Sequence, residues 1–422
     1  KKWENGMMLG NVHITDIDYI NDRGEHRIDA IKLDSYAKNG ENIITLNSPM
    51  IVAEYVSNDT PDKLVRRIKN SLFNKNLPIL LREDEIYTDS LEILSHGNYR
   101  FSMQTFDMAP ICRIVMPDLY IADSTKVDFS LNERDSINLS LESKFIRWGK
   151  NLFSDVSLNL NNSDYKPHID LTAEEISVFG IEVMNNKISM TADNGEVDLK
   201  YKFINDNALT NSLDLNTLVR FDKNPDNSLL TTIEIKDSEL YVQNRNWKLS
   251  PSEIVLGPQI YKANNFNIFN ENESLNINGA ISANPADTMN VTMENFDISL
   301  ANSFIKNGTT LEGTLSGDVD LYDVFGQMGV LIALEGDSIS VDRRELGHLT
   351  IMSKWDQNRE RFNILINNNI QQKIPLNVTG YFTPSRKYLS LNVAFDDFKL
   401  TQVNPIIKSI MDISDGSLYG DL

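Results

Sequence analysis

Cys112 is the only cysteine in this 422-residue chain, and His13, His26, His96, His168 and His348 are the only histidines. A lone cysteine excludes an intramolecular disulfide and any cysteine-based metal site. Its ordinary role is that of a small buried apolar side chain. The histidines are scattered with no ligand spacing between any two. The chain also lacks an H-E-x-x-H pair, a P-loop, a dinucleotide glycine fingerprint and a G-x-S-x-G elbow. The acidic turn Asp193-Asn194-Gly195-Glu196 has oxygens that suit Ca²⁺, but no full loop motif follows it, and a solvated turn accounts for it. Carboxylates are abundant, yet no spacing singles out an acid–base pair. No cofactor and no metal are expected, and nothing argues for an enzyme.

Other absences narrow the partners. Basic side chains are outnumbered, 40 against 60 acidic, which leaves a formal charge of −20. That sign repels phosphate backbones and anionic headgroups, so nucleic acid is not an expected partner. Long apolar runs are missing too. The longest, Val330-Leu331-Ile332-Ala333-Leu334, falls far short of the roughly 20 residues that span a bilayer. Trp3, Trp148, Trp247 and Trp355 stand alone, without the rows of aromatics that a glycan-binding stalk would expose. The chain is nonetheless 41% hydrophobic, as a folded protein requires.

What the chain has in quantity is alternation. Val197, Leu199, Tyr201 and Phe203 alternate with Asp198, Lys200 and Lys202, the period of a half-buried strand. Similar patterns run through Ile137-Leu139-Leu141, Val156-Leu158-Leu160, Thr231-Ile233-Ile235, Leu349-Ile351 and Phe362-Ile364-Ile366. Turn dipeptides separate such runs at Asn39-Gly40, Asn194-Gly195, Asn307-Gly308 and Asp415-Gly416.

The chain also repeats itself. Leu275-Asn276-Ile277-Asn278-Gly279-Ala280-Ile281 returns as Leu376-Asn377-Val378-Thr379-Gly380-Tyr381-Phe382, and 376 − 275 = 101. Met289, Val291, Met293, Phe296 and Ile298 then match Leu391, Val393, Phe395, Phe398 and Leu400. Gly313-Thr314-Leu315-Ser316-Gly317-Asp318-Val319 matches Gly416-Ser417-Leu418-Tyr419-Gly420-Asp421-Leu422. A weaker echo lies at Gly6 to Ile14. Such self-similarity marks a repeating architecture. The clearest copies are residues 275–375 and 376–422, the second incomplete, and each copy of about a hundred residues has room for about eight strands. Parity switches once per copy, at Glu294-Asn295 and at Asp396-Asp397, as a β-bulge would cause. Gly313 and Gly317 fall within a strand, where glycine lets backbones approach or a sheet bend.

Helix is scarce. Thr60-Pro61 opens the best candidate, an insert over 61–73 with Leu64, Val65, Ile68 and Leu72 on one face. It reads either as a short helix packed on the sheet or as a groove-gating or membrane-touching one. Asn404-Pro405 to Met411 is a second candidate. No linker or change of composition marks a domain boundary. The expected fold is all-β: an elongated, curled antiparallel sheet forming a repeating groove, with one or two short helices. Residues 1–422 then form one fragment of a longer elongated domain, since both ends look cut.

A sheet that curls around its apolar face encloses either a filled core or a hydrophobic trough. The inward candidates are Ile277, Ile281, Met289, Val291, Met293, Phe296, Ile298, Leu315, Val319, Val378, Phe382, Leu391, Val393, Phe395, Phe398 and Leu400. Alternation alone leaves the choice between core and trough open.

The copied blocks carry an Ile-x-Gly-x-Ile strand, a Val-x-Met-x-Asn-Phe-x-Ile strand and Gly-Thr-Leu-Ser-Gly-Asp-Val. With Trp247-Lys248-Leu249-Ser250-Pro251-Ser252 before them and Leu346-Gly347-His348-Leu349-Thr350-Ile351 and Trp355-Asp356 after, they resemble the TamB branch of the AsmA-like proteins of Gram-negative bacteria. Asn47-Ser48-Pro49-Met50-Ile51 is similar to the early strands of that family. The resemblance is clearest from Trp247 to Leu422. It implies a periplasmic bridge anchored in the inner membrane by an N-terminal helix, reaching an outer-membrane partner of the Omp85 type. Such a bridge would hold phospholipid acyl chains in its groove and carry them between the membranes. Two other readings stand beside this one: an assembly factor for outer-membrane β-proteins, working through its sheet edge, and a solid β-repeat structural or surface-binding protein.

Overall fold

The computed structural model describes all residues except 1, 5–6, 22–23, 75, 82–96, 163, 179–180, 207–209, 225, 305–308, 327, 371–372, 400–415 and 422. Strand accounts for 71% and helix for 8%, so the fold is all-β and antiparallel, as the alternation predicts. The chain divides into two compact units, Lys1–Lys223 and Asn224–Leu422. The sequence offers no sign of this boundary, because both units are built from the same kind of strand.

Each unit is mainly a meander in which a strand pairs with the one before it and the one after it. In the first unit the hairpin Met7–Asn21 and Gly24–Lys38 leads through Glu41–Asn47 and Ile51–Ser57 to Tyr99–Thr105. Lys126–Leu131, Ile137–Trp148, Asn151–Asn161, His168–Val178, Ile181–Asp193, Glu196–Asp206 and Thr210–Lys223 follow in order. Two inserts interrupt it. One carries helix α1 (Asp62–Lys69), a π turn at Asn70–Asn74 and a 3₁₀ turn at Pro78–Leu80. The other carries helix α2 (Ala109–Val115) and the short strand Leu119–Ile121. The expected insert at 61–73 is therefore a helix running into a π turn. The second helix candidate, Asn404 to Met411, lies outside the described residues. Among the described residues no helix is long and apolar enough to cross a membrane.

In the second unit Ile260–Phe269, Ser274–Ser282, Thr288–Asp297, Leu311–Tyr322, Gly329–Val341 and Arg344–Asp356 pair in succession. Arg361–Ile370, Lys373–Thr383, Tyr388–Lys399 and Ser417–Asp421 continue the ladder. The copy at 275–375 thus spans six strands, from Ser274–Ser282 to Arg361–Ile370, and not eight. Its strands are 9 to 13 residues long, so fewer fit into a hundred residues.

Directly opposed residues in an antiparallel ladder project from the same face. The register therefore sorts the side chains. On one face, Asn276, Thr292 and Asp318 stand in line, and the Thr292 hydroxyl donates to Asp318 at 2.7 Å. Lys202 and Asp214 pair at 2.5 Å on the polar face of the first unit. The other face is apolar, and it holds the candidate site.

Candidate functional site

In the second unit one register line crosses ten strands: Leu249, Ile268, Leu275, Met293, Gly317, Leu334, Ile351, Ile366, Val378 and Val393. Beside it runs a second: Ile277, Val291, Val319, Ile332, Ser353, Ile364, Gly380 and Leu391. A third contains Phe296, Leu315, Gly336, Leu349, Asn368, Leu376 and Phe395. The first unit has its own line across twelve strands: Val12, Leu33, Leu46, Ala53, Met103, Val127, Leu141, Leu158, Leu171, Ile188, Tyr201 and Leu215. Local alternation of strand residues becomes, through register, a continuous apolar surface across the strands.

Most of this surface is half-buried. Ile277, Met289, Val291, Met293, Leu315, Val319, Val378 and Val393 each lose exposure to flanking strands but keep a share of it. A second sheet packed on top would bury them fully, as in a sandwich. Among the described residues of the second unit no cluster of fully buried side chains forms over them; the two such clusters belong to the first unit. The geometry is that of a partly covered apolar face.

The structure distributes the sixteen inward candidates as follows. Ile277, Ile281, Met289, Val291, Met293, Phe296, Leu315, Val319, Val378, Phe382, Leu391, Val393 and Phe395 all project from the apolar face. Leu391 is 42% exposed, the most open of them. Phe398 does not line the trough: it is 1% exposed and tilted against Phe395, with ring centroids 5.6 Å apart. Ile298 is on no strand but begins the 3₁₀ stretch Ile298–Phe304. Leu400 lies outside the described residues.

Both expected bulges are present. The register slips between Met293 and Phe296, where Asn295 has φ 46°, and between Asp396 and Phe398, where Asp397 has φ 57°. Further slips occur around Asn265 (φ 54°) and Ser338 (φ 50°). Asn295, Ser338 and Asp397 lie in the C-terminal part of their strands, and so on one side of the meander, whereas Asn265 lies mid-strand. Asn and Asp tolerate the left-handed region better than other side chains, which accounts for their use here. Each bulge bends its own strand and sharpens the local twist. Trp247 closes that side, 1% exposed and edge-on to Phe296 with centroids 6.0 Å apart. Sequence reasoning missed Trp247 as part of the lining because its hairpin, Ser238–Val242 and Arg245–Leu249, joins the line only through Leu249 and Ile268.

Glycine opens the apolar face where neighbouring backbone comes close. A Cβ on Gly317, whose φ is 128°, would fall 2.1 Å from the Ala333 carbonyl oxygen. Gly279 meets the Thr288 carbonyl at the same distance. The glycine of the Gly-Thr-Leu-Ser-Gly block is thus a close-approach residue, as expected of a strand glycine.

Chemistry beyond apolar contact is sparse. Among the described residues no group of three or more His, Cys, Asp or Glu is placed to hold a metal. Cys112 is buried, which pushes its thiol pKa up and makes it a poor nucleophile. No protein-family model matches the chain, and no curated protein or solved structure is found to match it.

Proposed function

We propose that this chain is a non-enzymatic conduit that carries phospholipid, with the acyl chains lying along the apolar face and the headgroups in water. The supporting observation is the set of register lines in the second unit, apolar over as many as ten strands and mostly half-buried among the described residues. Hydrocarbon is the ligand such a surface suits. Burying a methylene yields about 0.8 kcal/mol without any directional contact, so a chain can slide from line to line at nearly constant energy. The −20 charge keeps the polar face hydrated and plays no part in recognition. The resemblance to AsmA-like proteins supports placing this conduit in the periplasm, between an inner-membrane anchor and an outer-membrane partner of the Omp85 type.

An assembly role for outer-membrane β-proteins is the second reading. Among the described residues, the strand Met7–Asn21 has an outer edge partner only at Met7, Met8 and Leu9, which leaves an edge open to pairing. Substitution of the trough separates the two. Val291→Asp with Val393→Asp places charge in the apolar lines and leaves that edge intact. Lipid extracted from the purified protein and counted by mass spectrometry should fall at least tenfold in the double variant. A wild-type protein that carries no phospholipid, or a double variant that carries as much as wild type, ends the conduit reading. Client assembly that survives in the double variant would favour the second.

A further inference from the structure

The first unit differs from the second in one respect that bears on the trough: part of its apolar face is already occupied. Residues 60–74 and 76–81 form a strap laid across strand ends. Leu64, Ile68 and Leu72 pack, alongside Tyr55, Phe129 and Leu160, on the buried cluster of Tyr99, Leu131 and Ile137. Farther along, Phe73 and Leu77 pack on Met190, Ala192, Val197, Val219 and Phe221. Phe129, Leu160 and Met190 stand in one register line with Leu139 and Ile169, so the strap sits on the same kind of surface that is open in the second unit.

The strap is fastened differently from the way it is packed. Arg67, only 3% exposed, donates to Asp135 at 2.7 Å, to the Asn132 carbonyl at 2.8 Å and to the Gly97 carbonyl. Ser71 donates to the Asp135 carbonyl, and Asn162 donates to the Ser71 hydroxyl at 2.6 Å. Asn76 donates to the Tyr165 carbonyl at 2.7 Å and accepts at its own carbonyl from the Gly195 amide at 2.6 Å. Three successive turns on one side of the meander, at 132–136, 162–165 and 194–195, therefore hold it. Hydrocarbon can take over what Leu64, Ile68, Leu72, Phe73 and Leu77 do, because apolar contact is non-directional. It cannot take over the clasp. The apolar contacts are exchangeable and the polar ones are not, so the clasp sets the threshold at which the strap yields.

We propose that the strap is a resident occupant of the trough which competes with fatty acyl chains for the apolar face of the first unit, with Arg67 and its turn partners as the clasp that sets the balance. This rests on the acyl-chain reading of the trough. A ligand lifts the strap only through its differential affinity for the uncovered face. Acyl chains and a seated strap are mutually exclusive at Phe129, Leu160 and Met190.

Arg67→Ala removes the clasp and leaves Asp135 half-exposed to water, so no buried charge is stranded. Hydrogen exchange of peptides across 60–81, and titration with a fluorescent polyene fatty acid, are the two readouts. In the wild type, saturating fatty acid should speed exchange of the strap at least fivefold while leaving the strands of the second unit unchanged or slower. In Arg67→Ala the strap should exchange at least tenfold faster without ligand, and the fatty acid should bind several-fold tighter. Binding by the wild type with no change in strap exchange overturns the proposal, and does so whether or not the variant folds. A freed strap with unaltered affinity overturns it as well. If neither protein binds the fatty acid, the acyl-chain reading itself falls and takes the strap proposal with it.

Discussion

At the scale of single residues, the apolar face depends on where side chains are missing as much as on where they are apolar. Gly317 stands in a line of Leu, Met, Ile and Val, yet a methyl group there would meet the Ala333 carbonyl at 2.1 Å. Its φ of 128° also suits glycine alone. Gly317→Ala should therefore destabilise by about 2 kcal/mol or more, from backbone strain together with displacement of the neighbouring strand. A fall in the denaturant midpoint at unchanged m-value would show it. A midpoint equal to wild type would mean that the strands relax and that glycine there is dispensable. The repeat makes this residue legible in sequence, because Gly313-Thr314-Leu315-Ser316-Gly317 recurs as Gly416-Ser417-Leu418-Tyr419-Gly420. It does not tell which backbone the glycine approaches, since Ala333 belongs to the next strand and only register brings it near.

At the scale of the element, the bulges carry the geometry. Asn295 and Asp397 are recognisable because each shifts the parity of its strand, and a parity shift is a local property of the sequence. Asn265 and Ser338 break parity too, but neither shift recurs in a second copy. Asn295 at φ 46° is 2 residues from the end of its strand. A β-branched side chain cannot adopt that conformation cheaply, so Asn295→Val should cost about 1–2 kcal/mol, whereas Asn295→Gly should be nearly neutral. Thermal unfolding of the pair checks this. Equal stability of the two variants would mean that the bulge migrates or disappears. The strap belongs to the same scale. Its amphipathic pattern is visible from Leu64 to Leu72, but its fastening is not, because Arg67 reaches Asp135 and Asn162 reaches Ser71 across 68 and 91 residues of chain.

At the scale of the whole molecule, the two units share one kind of apolar face and differ in how much of it is covered. Clusters of fully buried side chains occur where the strap packs, at Tyr99, Leu131 and Ile137 beneath it and at Ala192 and Val197 with the strap's own Leu77. Protein stripped of lipid should therefore bind an apolar dye strongly, and long-chain fatty acid should compete with the dye. Ligand at a hundred times its dissociation constant should add about 2.7 kcal/mol to the stability of the unit that binds it, by mass action. Calorimetry with and without fatty acid measures that shift. An unchanged melting profile, together with negligible dye binding, would mean that the face is sealed in solution.

Alternation with a period of two and a repeat of about 101 residues were enough to determine an all-β chain with one apolar and one polar face and its bulges at Asn295 and Asp397, and the helical spacing after Thr60-Pro61 was enough for its short helical insert. These are local properties: the pleat sends successive side chains to opposite faces whatever the strand pairs with. Tertiary structure alone decided that the apolar residues join into lines ten and twelve strands long, that Phe398 closes against Phe395 while Val393 stays half-open, and that the strap fills one unit and has no counterpart among the described residues of the other. Each of these depends on register between strands and on contacts many residues apart. Hydrophobicity dictates only that a side chain avoids water, and a neighbouring side chain, a strap or a ligand satisfies it equally.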